Sequence, residues 1–332
     1  MDIMNIIENI KNGLGIKKGL KPMMLLFVIF LILLFCVMVS NKFGKPNSVE
    51  GYSTDPLYQQ NYFELKRDDD AYDAVYAKYY DTIHLDKAKY DYEIGKIGPL
   101  LANSSAFVLD VGCGTGYHAN KMRTDFKKAT VVGLDKSSDM LDKAKTNYPK
   151  CEFMQGDILD NKLDLDNYTH ITCLNNTIYG LDNTQKARFF ENCYSILRDN
   201  GVLVLHLVDP DKFKPFSQSS ASKEVYNPEK YGKPADSLIV KFSDSIEYIS
   251  KYEVLKETTE NKPYAVYKEK IENFDKNSVW KNEINMYLLP IKDIVVMANA
   301  KGFELHEKIS LGPEYPNEYL FFFAPSHFWS EW

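Results

Sequence analysis

Phe107-Val108-Leu109-Asp110-Val111-Gly112-Cys113-Gly114-Thr115-Gly116 decides the reading of this chain. An apolar run ends in an acid, and three glycines follow at alternate positions. The run predicts a buried parallel strand. The glycines let the backbone turn tightly and approach a ligand closely, because no Cβ intervenes. A helix expected from Tyr117 to Phe126 turns its N-terminal N–H groups toward negative charge. Together they predict a nucleotide-type loop at the tip of a first strand.

The spacing selects among nucleotides. Dinucleotide loops read G-x-G-x-x-G, whereas this loop reads G-x-G-x-G with Asp110 two residues before Gly112. An acid there repels a pyrophosphate and suits a cationic or zwitterionic ligand. A second strand, Thr130 to Asp135, also ends in an acid, 23 residues after Gly112. Such an acid can accept both hydroxyls of a ribose. A third strand, Cys151 to Gly156, is followed by Asp157. Taken singly, Asp135 and Asp157 also read as helix caps or solvated loop acids.

The string D-V-G-C-G-T-G resembles the signature of class I S-adenosylmethionine (SAM)-dependent methyltransferases. That resemblance implies SAM as cofactor. It places Asp110 near the methionine ammonium, Gly112, Gly114 and Gly116 under the cofactor, and Asp135 on the ribose. Asp157 then faces the adenine amino group, with the backbone N–H of Ile158 on the ring.

Composition bounds the alternatives. The chain has 332 residues, 45% hydrophobic and 26% charged, with a net charge of −6, so no basic field recommends nucleic acid. Its five cysteines (Cys36, Cys113, Cys151, Cys173, Cys193) show no C-x-x-C spacing and read as reduced core thiols; no metal site is expected.

Residues 1–22 carry Ile3, Ile6, Ile7, Ile10 and Leu14 at helical spacing among lysines, which reads as an interfacial helix or a frayed leader. Met23 to Val39 is an unbroken apolar run of seventeen residues closed by Ser40. At about 1.5 Å per residue it reaches the lower limit of a transmembrane helix. Residues 23–40 are therefore expected to form a single membrane anchor. The lysines before the run favour the N-terminus inside, whereas access to SAM favours a cytosolic catalytic domain. Residues 41–70 read as a polar linker.

From residue 71 the chain alternates helix and strand. Tyr72, Val75, Tyr76, Tyr79, Tyr80 and Ile83 follow helical spacing, the pattern of a packed face. Strands are expected at 107–111, 130–135, 151–156, 170–175 and 202–208, with helices at 117–126, 137–147 and 183–198. Right-handed crossovers place the ligand at the C-terminal strand ends. After Asp209-Pro210 the period changes to antiparallel alternation over 238–242, 246–256, 264–274 and 279–289. A helix at 291–300 and strands at 303–311 and 319–323 close the chain. The expected layout is a methyltransferase core at 71–210, an antiparallel substrate cap at 211–289, and a closing helix and hairpin at 290–325. The fold class is α/β: a Rossmann-like, doubly wound, seven-stranded sheet with an antiparallel β cap, preceded by the transmembrane helix. The resemblance implies the strand order 3-2-1-4-5-7-6. The cap also reads as a dimerisation sheet, so a homo-oligomer is a second expectation for it.

More narrowly, the layout is similar to small-molecule members of the family, the amino-sugar N,N-dimethyltransferases and glycine N-methyltransferase. The matching strings are Tyr80-Asp81-Thr82-Ile83-His84, Leu109 to Gly116, Gln155-Gly156-Asp157 and Asn200 to Val204. The first resembles the lid of those enzymes, which implies that Tyr80 closes over SAM. The fourth strand exits through Asn175-Asn176-Thr177-Ile178, without the Asn/Asp-Pro-Pro-aromatic string of base-methylating enzymes. The expected acceptor is therefore a small molecule, methylated on N or O. Asn175 and Tyr179 are expected along the methyl path. His206, near the end of the fifth strand, is the candidate general base for a hydroxyl acceptor, or else a packing histidine. Two other readings compete: a membrane-anchored scaffold that keeps the fold without turnover, and a nicotinamide oxidoreductase, which Asp110 and the glycine spacing oppose.

Overall fold

The computed structural model describes residues 62–102, 105–160, 168–213, 237–255 and 262–326. The expected leader, the membrane span at 23–40 and most of the linker lie outside the described residues. Among the described residues, no helix is long and apolar enough to cross a membrane.

The core sheet is built from β2 (Phe107–Val111), β3 (Thr130–Asp135), β4 (Glu152–Gln155), β5 (Tyr168–Cys173), β6 (Leu197–Val208), β11 (Phe303–Ser310) and β12 (Glu318–Pro325). Its spatial order is β11-β12-β6-β5-β2-β3-β4. Renumbered within the core, that is the expected 3-2-1-4-5-7-6. The four pairs that join β4, β3, β2, β5 and β6 are parallel, and β12 runs antiparallel to β6 and to β11.

Burial on both faces explains the continuous apolar runs. Alternate residues of each strand point to opposite sides. Leu109, Ile171, Leu203 and Leu205 pack beneath Phe189 and Phe190 of α5 (Asn183–Ile196) and Ile294 and Ala298 of α6 (Ile291–Ala300). Val108, Val131, Val204 and Leu320 pack under Ile94, Ile97 and Leu101 of α2 (Lys87–Ala102) and Ala119 and Met122 of α3 (Tyr117–Asp125). The remaining core helix, α4 (Ser138–Asn147), is capped by Ser137, whose hydroxyl accepts from the Met140 N–H. Helix α5 starts with a capping box between Asp182 and Gln185. It stops earlier than the expected residue 198, because Leu197 turns extended to pair with Tyr168.

A second sheet has the order β1-β10-β9-β8-β7, formed by β1 (Tyr62–Arg67), β7 (Ser237–Ser243), β8 (Ile246–Val254), β9 (Ala265–Asn273) and β10 (Ser278–Met286). The expected meander supplies four of its strands. The fifth is a finding: Tyr62–Arg67, read from sequence as linker, pairs parallel with β10. The run is short and nearly all its side chains are polar or aromatic, so alternation alone does not mark it as a strand. Helix α1 (Ala74–His84) packs its Asp81 side on the core and its aromatic face on this sheet. Tyr76 meets Tyr248, Ile271 and Trp280 there, and its N-cap Asp73 binds both the Tyr76 N–H and the Trp280 indole. The cap thus joins residues from both ends of the core in sequence.

Candidate active site

The C-terminal ends of β2, β3 and β5 open into a cavity of about 710 Å³, roofed by α1 and walled by the cap sheet. Gly112 and Gly114 line it, with φ of +67° and +55°. Both values lie in the left-handed region that side chains disfavour. A Cβ on Gly112 would strike Thr177 Cγ2 at 2.3 Å, so this glycine is also fixed by packing. Gly116 (φ +86°) does not line the cavity. Its missing Cβ makes room for Phe153, at 2.6 Å, and Ala144.

Asp135 ends β3 and faces the cavity. One oxygen accepts from the Gly114 N–H at 2.8 Å, and the other from the Ser137 N–H at 2.9 Å. A carboxylate has about four lone-pair sites. Two remain for a ligand's hydroxyls while the first two hold the glycine loop in place. Burial raises the Asp135 pKa, against the pull of those N–H groups. Asp157 and Ile158 line the neighbouring wall. Asp157 binds the Leu159 N–H and stands 3.2 Å from Lys136, which also pairs with Asp69.

The lid is latched to the loop. Asp81 accepts from the Thr115 hydroxyl and, at 3.0 Å, from Asn147. Tyr80 lies over the cavity, with its hydroxyl 3.5 Å from Asn175 Nδ2. Asn175 and Asn176 adopt left-handed φ of 48° and 65°, which aims the exit of β5 into the cavity.

Besides Gly116, three expected site residues are placed elsewhere. Asp110 is buried, accepts from the Thr172 hydroxyl and is not among the described residues lining the cavity. Its acid lies beneath the loop, because strand positions alternate and the next residue, the buried Val111, is the one that borders the cavity. Tyr179 is wholly buried, and its hydroxyl accepts from the Val208 N–H at 2.9 Å. It fastens the β5 exit to the end of β6 and does not line the methyl path. His206 is likewise sealed, with Nε2 3.0 Å from Glu318 Oε2, so the general-base expectation is corrected to a packing role behind Glu318.

Sequence reading missed Glu318, Lys89 and Glu269. Glu318 lines the cavity and is held by Lys89 at 2.5 Å and by His206. Burial opposes its ionisation, but His206 and Lys89 outweigh it and bring its pKa to about 2. Glu269 had a visible signal: it interrupts the inward row Ala265, Tyr267, Ile271 of a strand whose other face is polar.

The site fits S-adenosylmethionine. Two glycines give close backbone approach, Asp135 keeps free lone pairs at a ribose position, and the cavity continues toward β4 and beneath the lid. Residues 108–201 match the family model described as a methyltransferase domain. The chain carries a methyltransferase domain of the SAM-dependent class. The chain is 31% identical over 150 residues to dTDP-3-amino-3,6-dideoxy-alpha-D-glucopyranose N,N-dimethyltransferase of Streptomyces fradiae, covering 43% of this chain and 58% of that enzyme. It is 33% identical over 96 residues to dTDP-3-amino-3,4,6-trideoxy-alpha-D-glucopyranose N,N-dimethyltransferase of Streptomyces venezuelae, covering 28% of this chain and 40% of that enzyme. The matches therefore span about half the length of these curated relatives. In fold it is similar to Streptomyces venezuelae DesVI (TM-score 0.56, 20% identity, 75% of this chain and 98% of that one). It is also similar to the SAM-bound amino pentose methyltransferase of Micromonospora echinaspora (TM-score 0.53, 19% identity, 76% and 96%).

Proposed function

We propose that this chain transfers a methyl group from SAM to a nitrogen or oxygen of a small molecule, with an amino sugar the favoured acceptor. The observation that carries the reading is one continuous cavity. It joins the glycine loop, Asp135 and Asp157 to a second compartment under Tyr80 and the cap. SAM supplies an already activated methyl group, so the protein's task is orientation and exclusion of water.

Gly112 and Gly114 admit the cofactor against the backbone, Asp135 holds ribose hydroxyls, and Asp157 with Ile158 meets the base. Tyr80 and Asn175 border the passage to the acceptor compartment. The wall charge supports an amine over a carboxylate acceptor. Asp69, Asp81, Asp86, Asp135, Asp157 and Glu318 outnumber Lys87, Lys89 and Lys136, and like charge disfavours an anionic guest. The names of the two Streptomyces relatives support the same choice.

The test incubates the full chain with methyl-labelled SAM and, in parallel, nucleotide-linked amino sugars, hydroxy sugars and sugar carboxylates. Label transferred to an amino sugar supports the reading; label transferred only to carboxylate compounds overturns the amine assignment. We further propose that residues 23–40 anchor the enzyme to a membrane with the catalytic domain cytosolic, a reading supported by their seventeen-residue apolar run. Release of the full chain from membranes by alkaline carbonate would overturn it.

A further inference from the structure

The inward face of the cap sheet carries a polar row where a core is expected. Ser250, Glu269 and Asn282 are direct neighbours on three adjacent strands, and all three are buried. A carboxylate in such a position is costly unless it is paired. Glu269 is paired on every side. Its Oε1 accepts from Tyr248 at 2.6 Å, and its Oε2 accepts from Tyr76 at 2.6 Å and Asn282 at 2.8 Å. Among the described residues its one ionisable cationic partner is His84, whose Nε2 lies 3.3 Å from Oε1.

The hydrogen-bond directions fix the imidazole. The Tyr76 hydroxyl has one proton, and it is donated to Glu269. At its 2.6 Å contact with His84 Nε2, Tyr76 must therefore accept. Nε2 thus carries the proton, and in the neutral ring Nδ1 holds the lone pair. No described residue hydrogen-bonds Nδ1. The ring lines the cavity beside Tyr80 (centroids 4.8 Å) and Tyr267 (6.3 Å), and its side chain is 23% exposed while Glu269's is fully enclosed.

We propose that His84 is the proton acceptor of the acceptor compartment, oriented and charge-compensated by Glu269 through Tyr76. This rests on the methyltransferase reading above. As the acceptor's nitrogen or oxygen forms its bond to the methyl carbon, the methyl–sulfur bond breaks and its electron pair goes to sulfur. The proton on that acceptor atom passes to Nδ1, and Glu269 balances the resulting imidazolium. Glu269 is a positioning residue; His84 is the group that meets the acceptor. Lid and cap must meet for the relay to exist, since Tyr76 and His84 come from α1 and Glu269 from β9. The other titratable groups around the ring are Tyr80 of its own helix, Tyr267 of β9, Tyr248 of β8, and Tyr90 of α2, whose hydroxyl donates to the His84 carbonyl.

The test needs no knowledge of the acceptor. The full chain is treated with diethylpyrocarbonate, which acylates neutral imidazole, and modification at His84 is followed by peptide mass spectrometry. Wild-type His84 should be modified readily, because its open Nδ1 faces the cavity. The tautomer is read on the same samples by 15N NMR of the imidazole. Wild type should hold a single Nε2–H form, and Glu269→Gln should divide between the two tautomers, because the carboxylate that orders Tyr76 and Nε2–H is gone. A purely structural role for Glu269 would change access to the reagent and leave the tautomer unchanged. Tyr248→Phe, which removes a donor to Glu269 and leaves its charge, should keep the wild-type tautomer. A wild-type ring divided between tautomers, an unchanged tautomer in a folded Glu269→Gln, or an unreactive His84 in folded wild type would overturn the proposal. The wild-type and Tyr248→Phe measurements decide it even if Glu269→Gln does not fold. SAM affinity measured on the same samples separates the two claims. Loss of SAM binding by wild type refutes the cofactor reading, whereas intact binding with an indifferent His84 refutes only this one.

Discussion

Two glycines of one loop should fail in different ways when each is replaced by alanine. A Cβ on Gly114 would meet only Met140 Cε at 3.4 Å and Tyr80 Cε1 at 3.9 Å, which are ordinary contacts. The folding cost of Gly114→Ala is then the left-handed backbone at φ +55°, about 1–2 kcal/mol. For a chain of this size that lowers Tm by about 2–8 °C. The new methyl group projects into the cofactor's space, where overpacking costs about 1–3 kcal/mol, so SAM affinity should fall roughly 5- to 150-fold. Gly116→Ala has the same backbone cost at φ +86° and also drives its Cβ to 2.6 Å from Phe153 and 3.1 Å from Ala144. Its total is about 2–5 kcal/mol, all in stability. Its folded fraction should bind SAM as wild type does. Differential scanning fluorimetry and isothermal titration calorimetry on the two full-length variants measure both quantities. Gly114→Ala binding SAM within threefold of wild type would refute the reasoning. So would a loss of affinity in Gly116→Ala at unchanged Tm.

Asp135→Asn places an amide N–H₂ against the N–H of either Gly114 or Ser137, and removes the charge facing the ribose hydroxyls. At about 1.5–3 kcal/mol per charged hydrogen bond, calorimetry should show SAM binding weakened by at least about tenfold. Glu318 has a folded pKa of about 2 against an ordinary 4.5. Its contribution is complete above pH 4.5 and is lost as pH falls toward 2; it amounts to about 3 kcal/mol. Urea unfolding at pH 6 and pH 3 should therefore show a smaller acid loss for Glu318→Gln than for wild type. The pKa of Lys186 is depressed as well, but by burial acting on its charged form. Burial lowers its pKa to about 7, and its ammonium donates to the carbonyls of Leu181 and Tyr287. Between pH 7 and 10.5 the unfolded state binds the extra proton, so wild-type stability should rise from pH 7 to 9, and Lys186→Met should lose that rise.

Much of the fold is legible because its signals are local. β2, β3 and the glycine loop follow from apolar runs ending in acids, and α6 is found with the expected bounds. The four meander strands follow from period-two alternation. What escaped depends on partners far away in sequence. Tyr62–Arg67 becomes a strand only because β10, more than 200 residues later, leaves an edge open. The same limit explains the site. Asp135, Asp157 and Asn175 are placed by their own strand ends and reach the cavity. His206 and Tyr179 share that address, but their side chains turn to Glu318 and Val208, contacts that no local pattern encodes. Glu269 was legible in principle, as a charge inside an apolar alternation. Its meaning depended on α1 lying across it.

The central claim is a cofactor site made by the loop and its flanking acids, and calorimetric titration of the full chain with SAM, with NAD alongside, tests it most directly. The account predicts one SAM bound per chain at micromolar strength and no heat from NAD. A folded sample that gives no heat with SAM, or that binds NAD instead, would contradict it.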